Sequence, residues 1–215
     1  MNENGRAKQI VLGAVALGIL IFFLTQCRGD GPGSYKVGDT GPGGGIVFYV
    51  SETAFTSAGS QCGESCYYLE AAPSEEWGTD IWCSNTSDSL GATGSEIGEG
   101  MNNTVTAEGT CTSGAIQRAF DYSNKGKKDW HLPSADELNE LCKYARSQAT
   151  GDPSMECDSS GSLLPGFSIN YYWSSTEDAC CFADVRNFDS GSSGNKFKDA
   201  TLDPGGFHIR PIRAF

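Results

Sequence analysis

Eight cysteines spread over residues 62–181 constrain the fold of this chain more than any other feature of its sequence. An even number of cysteines, in a chain with only 38% hydrophobic residues, is typical of exported proteins in which disulfides supplement a modest core. Zinc binding is the competing interpretation, but the sequence has neither a C-x-x-C pair nor a histidine at ligand spacing. The disulfide candidates are Cys62, Cys66, Cys83, Cys111, Cys142, Cys157, Cys180 and Cys181.

Spacing predicts part of the disulfide pairing. The intervals 62–66 and 142–157 suit local bridges that staple a loop. Cys180 and Cys181 are adjacent, so they form either a vicinal disulfide or, as neighbouring cysteines more often do, bridges to two different partners. The remaining pairings stay open.

Residues 10–24 form an uninterrupted apolar stretch that sets the N-terminus apart from the rest of the chain. As a helix the stretch covers roughly 22 Å, and Lys8 and Arg28 can snorkel at its ends. The segment then spans a bilayer as a signal anchor with its basic end cytoplasmic. Two alternatives stay open, a lipoprotein modified at Cys27 and an ordinary cleaved signal peptide. Each of the three sends the remainder across a membrane.

The exported part is strongly acidic. The chain carries a net charge of −12, and residues 29–215 carry −14 once the three basic and one acidic side chains before them are set aside. Nucleic acid and anionic membrane surfaces are therefore disfavoured as partners, because both need a basic footprint. We expect a signal anchor or signal peptide at 1–28, a Gly/Pro-rich linker at 29–34 and one extracytoplasmic domain of the cell envelope at 35–215.

Short runs of β-branched and aromatic residues predict strands at residues 45–50, 66–71, 171–174 and 183–188. The chain end, 208–215, is expected to be extended, with Pro211 restricting it to an edge or a bulge. Residues 73–112 are polar and Gly-rich and are predicted to be irregular. Trp130 and Trp173 are assigned to the packed core.

Two helices are predicted. Ser113 caps the first, which ends near residues 124–126. Ser134 and Glu137 form a capping box at the start of the second, in which apolar residues recur at helical spacing through residues 138–145.

Seven blocks of the sequence, in order, resemble a bacterial envelope domain that is similar to the C-terminal, glycan-binding domain of collagen-like adhesins. They include VGDTGPGGGIVFY at 37–49, WHLPSADELNEL at 130–141 and IRPIRAF at 209–215, with shorter ones at 68–73, 82–83, 97–104 and 172–177. The resemblance places the domain in the C-type-lectin-like superfamily, which also contains formylglycine-generating enzymes. It implies an α+β fold with two helices beside a small twisted antiparallel sheet, long loops, and first and last strands brought together.

Catalysis is not expected. A cysteine or serine enzyme needs a base beside its nucleophile, yet the only histidines are His131 and His208, and no G-x-S-x-G turn occurs. Formylglycine-generating enzymes use two separated cysteines, which the adjacent Cys180 and Cys181 cannot reproduce. Paired carboxylates for glycoside hydrolysis stay open as an alternative.

No cofactor is expected. Calcium-dependent lectins carry Glu-Pro-Asn and Trp-Asn-Asp signatures that this chain lacks. Calcium remains possible at Glu177, Asp178, Asp184 and Asp189, although a solvated acidic face is the favoured interpretation of these residues.

Residues 168–204 alternate aromatic, amide and charged side chains with turn residues, which is typical of a recognition surface displayed on a rigid scaffold. We predict a membrane-tethered surface module that binds a neutral glycan or a protein. The resemblance also makes these loops compatible with the variable region of a diversity-generating retroelement. A self-associating structural envelope protein, hence a homo-oligomer, and an enzyme are the alternatives. The predicted ligand-binding residues are Asn170, Tyr171, Glu177, Asp178, Arg186, Asn187, Asn195 and Lys196.

Overall fold

The computed structural model describes residues 33–73, 78–200 and 207–215. Three helices accompany two three-stranded antiparallel sheets, so the predicted α+β class is confirmed. The elements are, in chain order, β1 (Ile46–Phe55), β2 (Cys66–Ala71), α1 (Glu99–Glu108), α2 (Ala115–Phe120), α3 (Ala135–Ala145), β3 (Tyr171–Asp178), β4 (Phe182–Asn187), β5 (Ser193–Phe197) and β6 (Ile212–Ala214).

Sheet A has the strand order β1-β2-β6. The first and last strands share this sheet, as expected, but β2 lies between them, with Leu69 opposite Ala214. Pro211 immediately precedes β6, which is an edge strand, so its missing N–H costs the sheet no hydrogen bond.

Sheet B has the order β3-β4-β5 and carries the surface discussed below. Strand β3 begins where predicted but extends four residues further, and β4 has the predicted length but begins and ends one residue earlier, whereas β5 was not predicted at all. Its sequence, SGNKF, is polar and contains a glycine, so it lacks the usual strand composition. Pairing with β4 makes it a strand, in unbroken register from Phe182 opposite Phe197 to Arg186 opposite Ser193.

The second predicted helix is confirmed as α3 with its capping box. The Ser134 hydroxyl accepts from the Glu137 N–H at 3.3 Å, and the Glu137 carboxylate accepts from the Ser134 N–H at 2.8 Å. The first predicted helix, α2, begins after Gly114 rather than Ser113. Gly114 has φ 102°, and a Cβ there would lie 2.9 Å from the backbone around Trp82.

The expectation of only two helices is wrong, because α1 lies within the stretch predicted to be irregular. This helix is polar, so its sequence gives little periodic signal. Tertiary contacts stabilise it instead. Asn103 donates to the carbonyl of Gly94 at 2.6 Å and accepts from its N–H at 3.0 Å, and a Cβ on Gly100 would collide with Glu137.

All eight cysteines of the described chain are paired. The bridges are Cys62–Cys66, Cys83–Cys111, Cys142–Cys157 and Cys180–Cys181. The two predicted loop staples are confirmed. The expectation that Cys180 and Cys181 take different partners is wrong, because the other six pair among themselves and leave these two to each other.

The core consists of two main hydrophobic clusters, one between sheet A and α3 and one between sheet B, α1 and α2. Trp130 and Trp173 are fully buried, which confirms their assignment to packing. Within the described ranges no helix is long and apolar enough to cross a membrane. The predicted anchor at 1–28 lies outside those ranges, as do most of the linker and residues 201–204 of the predicted recognition segment.

Candidate ligand-binding site

One face of sheet B and the start of α3 enclose an open cleft of about 190 Å³, here called the α3 cleft. Side chains alternate between the two faces of a strand, so residues 182, 184 and 186 of β4 share one face with their partners 197, 195 and 193 of β5. From this face Asp184, Arg186 and Asn195 line the cleft, opposite Ala135 and Leu138 of α3.

Asp184 is the most electrostatically perturbed group in the α3 cleft. Burial raises its pKa to about 6, the nearby carboxylate of Asp178 contributes in the same direction, and the Arg186 guanidinium opposes both. The Asp184 side chain therefore changes between hydrogen-bond donor and pure acceptor near neutral pH.

Next to Asp184, a polar bridge and an aromatic pair continue the same face. The Asn195 side-chain amide donates to the Asp178 carboxylate across β4. The rings of Phe182 and Phe197 lie 4.3 Å apart between centroids, and Phe197 is 57% exposed. An apolar platform thus adjoins a set of carboxylate and amide groups.

Residues 81–213 match the family model described as the Lcl C-terminal domain. The chain belongs to this family. The matched residues include all of α1 to β5, hence both walls of the α3 cleft, whereas β1 and β2 precede them. Membership in the Lcl C-terminal domain family indicates an adhesin-like module of the cell surface or envelope. No curated protein matches the chain.

Two predicted ligand-binding residues of this Lcl C-terminal domain are buried instead of displayed. Arg186 donates to the carbonyl of Gly191 at 2.8 Å and pairs with Glu156 at 2.6 Å. Arg186 lines the cleft although it is only 5% exposed. Arg186 therefore orders the β4–β5 turn, a role that its sequence context did not reveal.

Glu177 is the second buried residue, at 3% exposure. Its carboxylate pairs with Lys198 and accepts from the N–H groups of Leu90 and Gly91 at 2.8 and 2.7 Å. Although burial by itself raises the pKa of Glu177, these donors hold it below its ordinary value. The prediction that Glu177 contacts a ligand is not compatible with this burial.

Tyr171 and Lys196 lie on the opposite face of sheet B from the α3 cleft. The Lys196 ammonium is 5.2 Å from the centre of the Tyr171 ring, which also contacts Phe207. Neighbouring residues of a strand point to opposite faces of a sheet. Tyr171 is next to Tyr172, which is opposite Arg186, and Lys196 is next to Asn195, so the pair faces away from the cleft.

The two remaining predicted residues are asparagines with local roles. The Asn187 side chain accepts from the N–H groups of Asp189 and Ser190 at 2.7 and 3.0 Å, which closes the β4–β5 turn. The carbonyl of Asn170 accepts from the N–H of Phe188 at 2.9 Å. Of the eight predicted residues, Arg186 and Asn195 line the α3 cleft, and Asp178 is hydrogen-bonded to Asn195.

Among the described residues, no three His, Cys, Asp or Glu side chains come together in a way that holds a metal ion. Glu177, one of the four acidic residues considered for calcium, is already neutralised by Lys198. Phe182 and Phe197 were not predicted as site residues. Each phenylalanine lies two residues from a polar residue of the cleft, Phe182 from Asp184 and Phe197 from Asn195, so all four share one face of the sheet. The sequence shows this spacing only once β5 is recognised as a strand.

Proposed function

We propose that this domain is a cell-surface binding module that takes a neutral sugar in the α3 cleft. The observation that carries the proposal is the position of Asp184 and Asn195 beside the Phe182–Phe197 ring pair on one face of sheet B. Ligand sites of small molecules combine an apolar wall with a few oriented polar groups in this way.

A pyranose ring matches this arrangement chemically. One face of the ring presents C–H groups, which pack on an aromatic side chain, while its edge presents hydroxyls. Asp184 accepts a hydrogen bond from a hydroxyl when ionised, and the Asn195 amide both donates and accepts. The exposed ring of Phe197 supplies the stacking surface.

The charge of the chain supports a neutral ligand. The net charge is −12, the carboxylate of Asp184 lines the cleft, and that of Asp178 lies beside it, hydrogen-bonded to Asn195. An anionic glycan would meet like charge on approach and at the site itself. A protein ligand remains the second class that such a surface accommodates.

Binding without catalysis and without a cofactor is part of the proposal. The disulfides occupy the thiols of all eight described cysteines, and the side chain of His131 is fully buried, which supports a non-catalytic role. We also propose that the domain adopts a C-type-lectin-like arrangement and that residues 1–28 tether it to a membrane. The apolar stretch at 10–24 supports the tether.

An array of neutral glycans probed with the full 215-residue chain tests the proposal. Two variants accompany it, Asn195→Ala and Phe197→Ala, and Asn102→Ala is the matched control. Asn102 is also an exposed asparagine that donates to a carboxylate of its own domain, that of Glu99 at 3.3 Å, but it lies on α1.

We expect binding by the native chain and the Asn102→Ala control, with a loss of about tenfold or more in each site variant. Absence of binding to every neutral glycan contradicts the sugar proposal. Equal binding by all four proteins contradicts the assignment of the α3 cleft. Selective binding to acidic glycans contradicts the choice of a neutral ligand.

A further inference from the structure

A second cleft lies at the other end of α3, with a volume of about 300 Å³. Its lining includes Arg210, Ile46, Tyr144, Pro165 and Phe167. We call it the Arg210 cleft. Tyr144 lies six and nine residues after the α3 residues Leu138 and Ala135 of the α3 cleft, so about 9 to 14 Å of helix separates the two clefts. The Arg210 cleft forms no part of the proposed sugar site.

Arg210 is buried without an acidic partner among the described residues. It is 5% exposed, its Nη1 donates to the carbonyl of Gly166 at 3.1 Å, and its guanidinium lies 4.8 Å from the centre of the Phe167 ring. Its Nε is shielded from solvent and has no hydrogen-bond partner in the described part of the chain. Arg213, three residues later, has two carboxylate partners.

Among the described residues, no carboxylate compensates the charge of Arg210. Burial lowers the pKa of Arg210. The charge interactions that oppose this shift come from three tyrosines, Tyr172, Tyr122 and Tyr144. A buried charge without a counter-ion is costly to the fold, and a buried donor without an acceptor adds to that cost. An anion that enters the cleft and contacts the guanidinium compensates the charge.

The walls restrict which anion fits. Apart from Arg210, Thr40, the Tyr144 hydroxyl and the backbone of Gly44 and Gly45, the lining is aliphatic or aromatic, so a ligand with hydroxyls on every side would leave several of them unpaired. The volume is at the lower end of the range of about 300–1,000 Å³ for ligand pockets and suits one residue-sized group.

We propose that the Arg210 cleft binds a carboxylate carried on an apolar group, as a hydrophobic residue at the free C-terminus of a peptide presents it. The carboxylate pairs with the guanidinium, the apolar group packs on Phe167 and Tyr144, and Thr40 faces the preceding amide. A small free aryl carboxylate offers the same chemistry from a different source.

The negative charge of the chain does not exclude such a ligand. Charges separated by more than about 8 Å are largely screened at physiological ionic strength, whereas Arg210 contacts the ligand directly. The net charge of −12 therefore slows association more than it weakens the bound state.

Calorimetric titration of the full-length chain with N-acetyl-L-phenylalanine and with its amide tests the proposal without any mutation. The two probes share size and apolar surface and differ in charge. We expect the acid to bind about tenfold or more tightly than the amide. Equal binding of the two, or no binding of the acid, overturns the proposal.

Titration with 3-phenylpropionate distinguishes the two sources. It keeps the ring and the carboxylate but lacks the acylamino group, so weaker binding than N-acetyl-L-phenylalanine indicates a peptide terminus and equal binding indicates a small free carboxylate. Both results support the carboxylate site. Tighter binding of glucuronate than of both apolar acids contradicts it.

Two variants test whether Arg210 binds the carboxylate, Arg210→Met and its control Lys128→Met. Each variant removes one positive charge, but Lys128 is exposed and lies outside the cleft. We expect Arg210→Met to bind acid and amide equally weakly and Lys128→Met to behave as the native chain. Retained preference for the acid in a folded Arg210→Met variant overturns the assignment. Should that variant not fold, the comparison of acid and amide on the native chain still decides.

Discussion

The ammonium of Lys198 lies 2.5 Å from a carboxylate oxygen of Glu177, and both side chains are fully shielded from solvent. The same ammonium donates to the carbonyls of Asp88 and Cys180 at 2.8 and 2.9 Å and lies 4.9 Å from the centre of the Trp82 ring. One lysine thus joins three segments behind the ligand-facing strands, and the position of β5 depends on it.

Replacing Lys198 by Met should destabilise the domain by about 3 to 5 kcal/mol, because it leaves the Glu177 carboxylate buried without its partner. Lys196→Met, two residues earlier on β5, is the matched control. It removes a stacking contact with Tyr171 and should cost about 1 kcal/mol or less. Urea unfolding measures both. Equal effects of the two substitutions would contradict the importance of the buried pair.

Arg213 and Arg210 should differ in the same way. Arg213 pairs with Asp129 at 2.6 Å and with Glu70 at 3.1 Å. Arg213→Met leaves both carboxylates without this partner and should lower the free energy of unfolding by about 3 to 5 kcal/mol. Arg210→Met removes a charge that has no counter-ion among the described residues and should change the unfolding free energy by about 1 kcal/mol or less. A large loss in Arg210→Met would indicate a partner for that side chain in the free protein.

Asp184 should make the stability of the domain depend on pH between about 4 and 6. Its pKa is about 6 in the folded chain and near its ordinary value of about 3.9 in the unfolded chain. The folded state therefore binds the proton more tightly, and the stabilisation from this group is complete at low pH and is lost as the pH rises through about 6.

Asp184→Asn removes that dependence. Relative to the native chain, we expect a gain of about 1 kcal/mol or less at pH 8, since solvent screens a partly exposed group, and no gain at pH 4. Unfolding by urea at both pH values measures the difference. The same gain at both pH values would show that a cause other than ionisation is responsible.

The three disulfides that close loops should differ in their contribution to stability. Their sequence separations are 28, 15 and 4 for Cys83–Cys111, Cys142–Cys157 and Cys62–Cys66. Loop-closure entropy predicts losses of about 3.5, 3 and 2 kcal/mol when each pair is replaced by Ala. Thermal unfolding of the three double variants measures the order, and a larger loss for the shortest loop would contradict the entropic account.

Local signals in the sequence predicted those elements whose stabilising contacts are close along the chain. The capping box of Ser134 and Glu137 spans three residues, and β2 has the bounds that its aromatic run indicates. The two short disulfide loops follow the same rule. Helix α1 and strand β5 escaped prediction because their own residues are polar and their partners are distant, such as Gly94 for Asn103 and β4 for β5.

The sequence by itself determined the α+β class, the disulfide-stabilised character and the stretch that carries the candidate site. Only the tertiary structure decided which polar residues of that stretch face outward. Glu177 is buried because Lys198, 21 residues away, neutralises it, whereas Asp178, its neighbour, stays exposed beside Asn195. Arg210 and Arg213 share one short block of sequence, yet their surroundings differ, because charge pairing depends on residues that only the fold brings together.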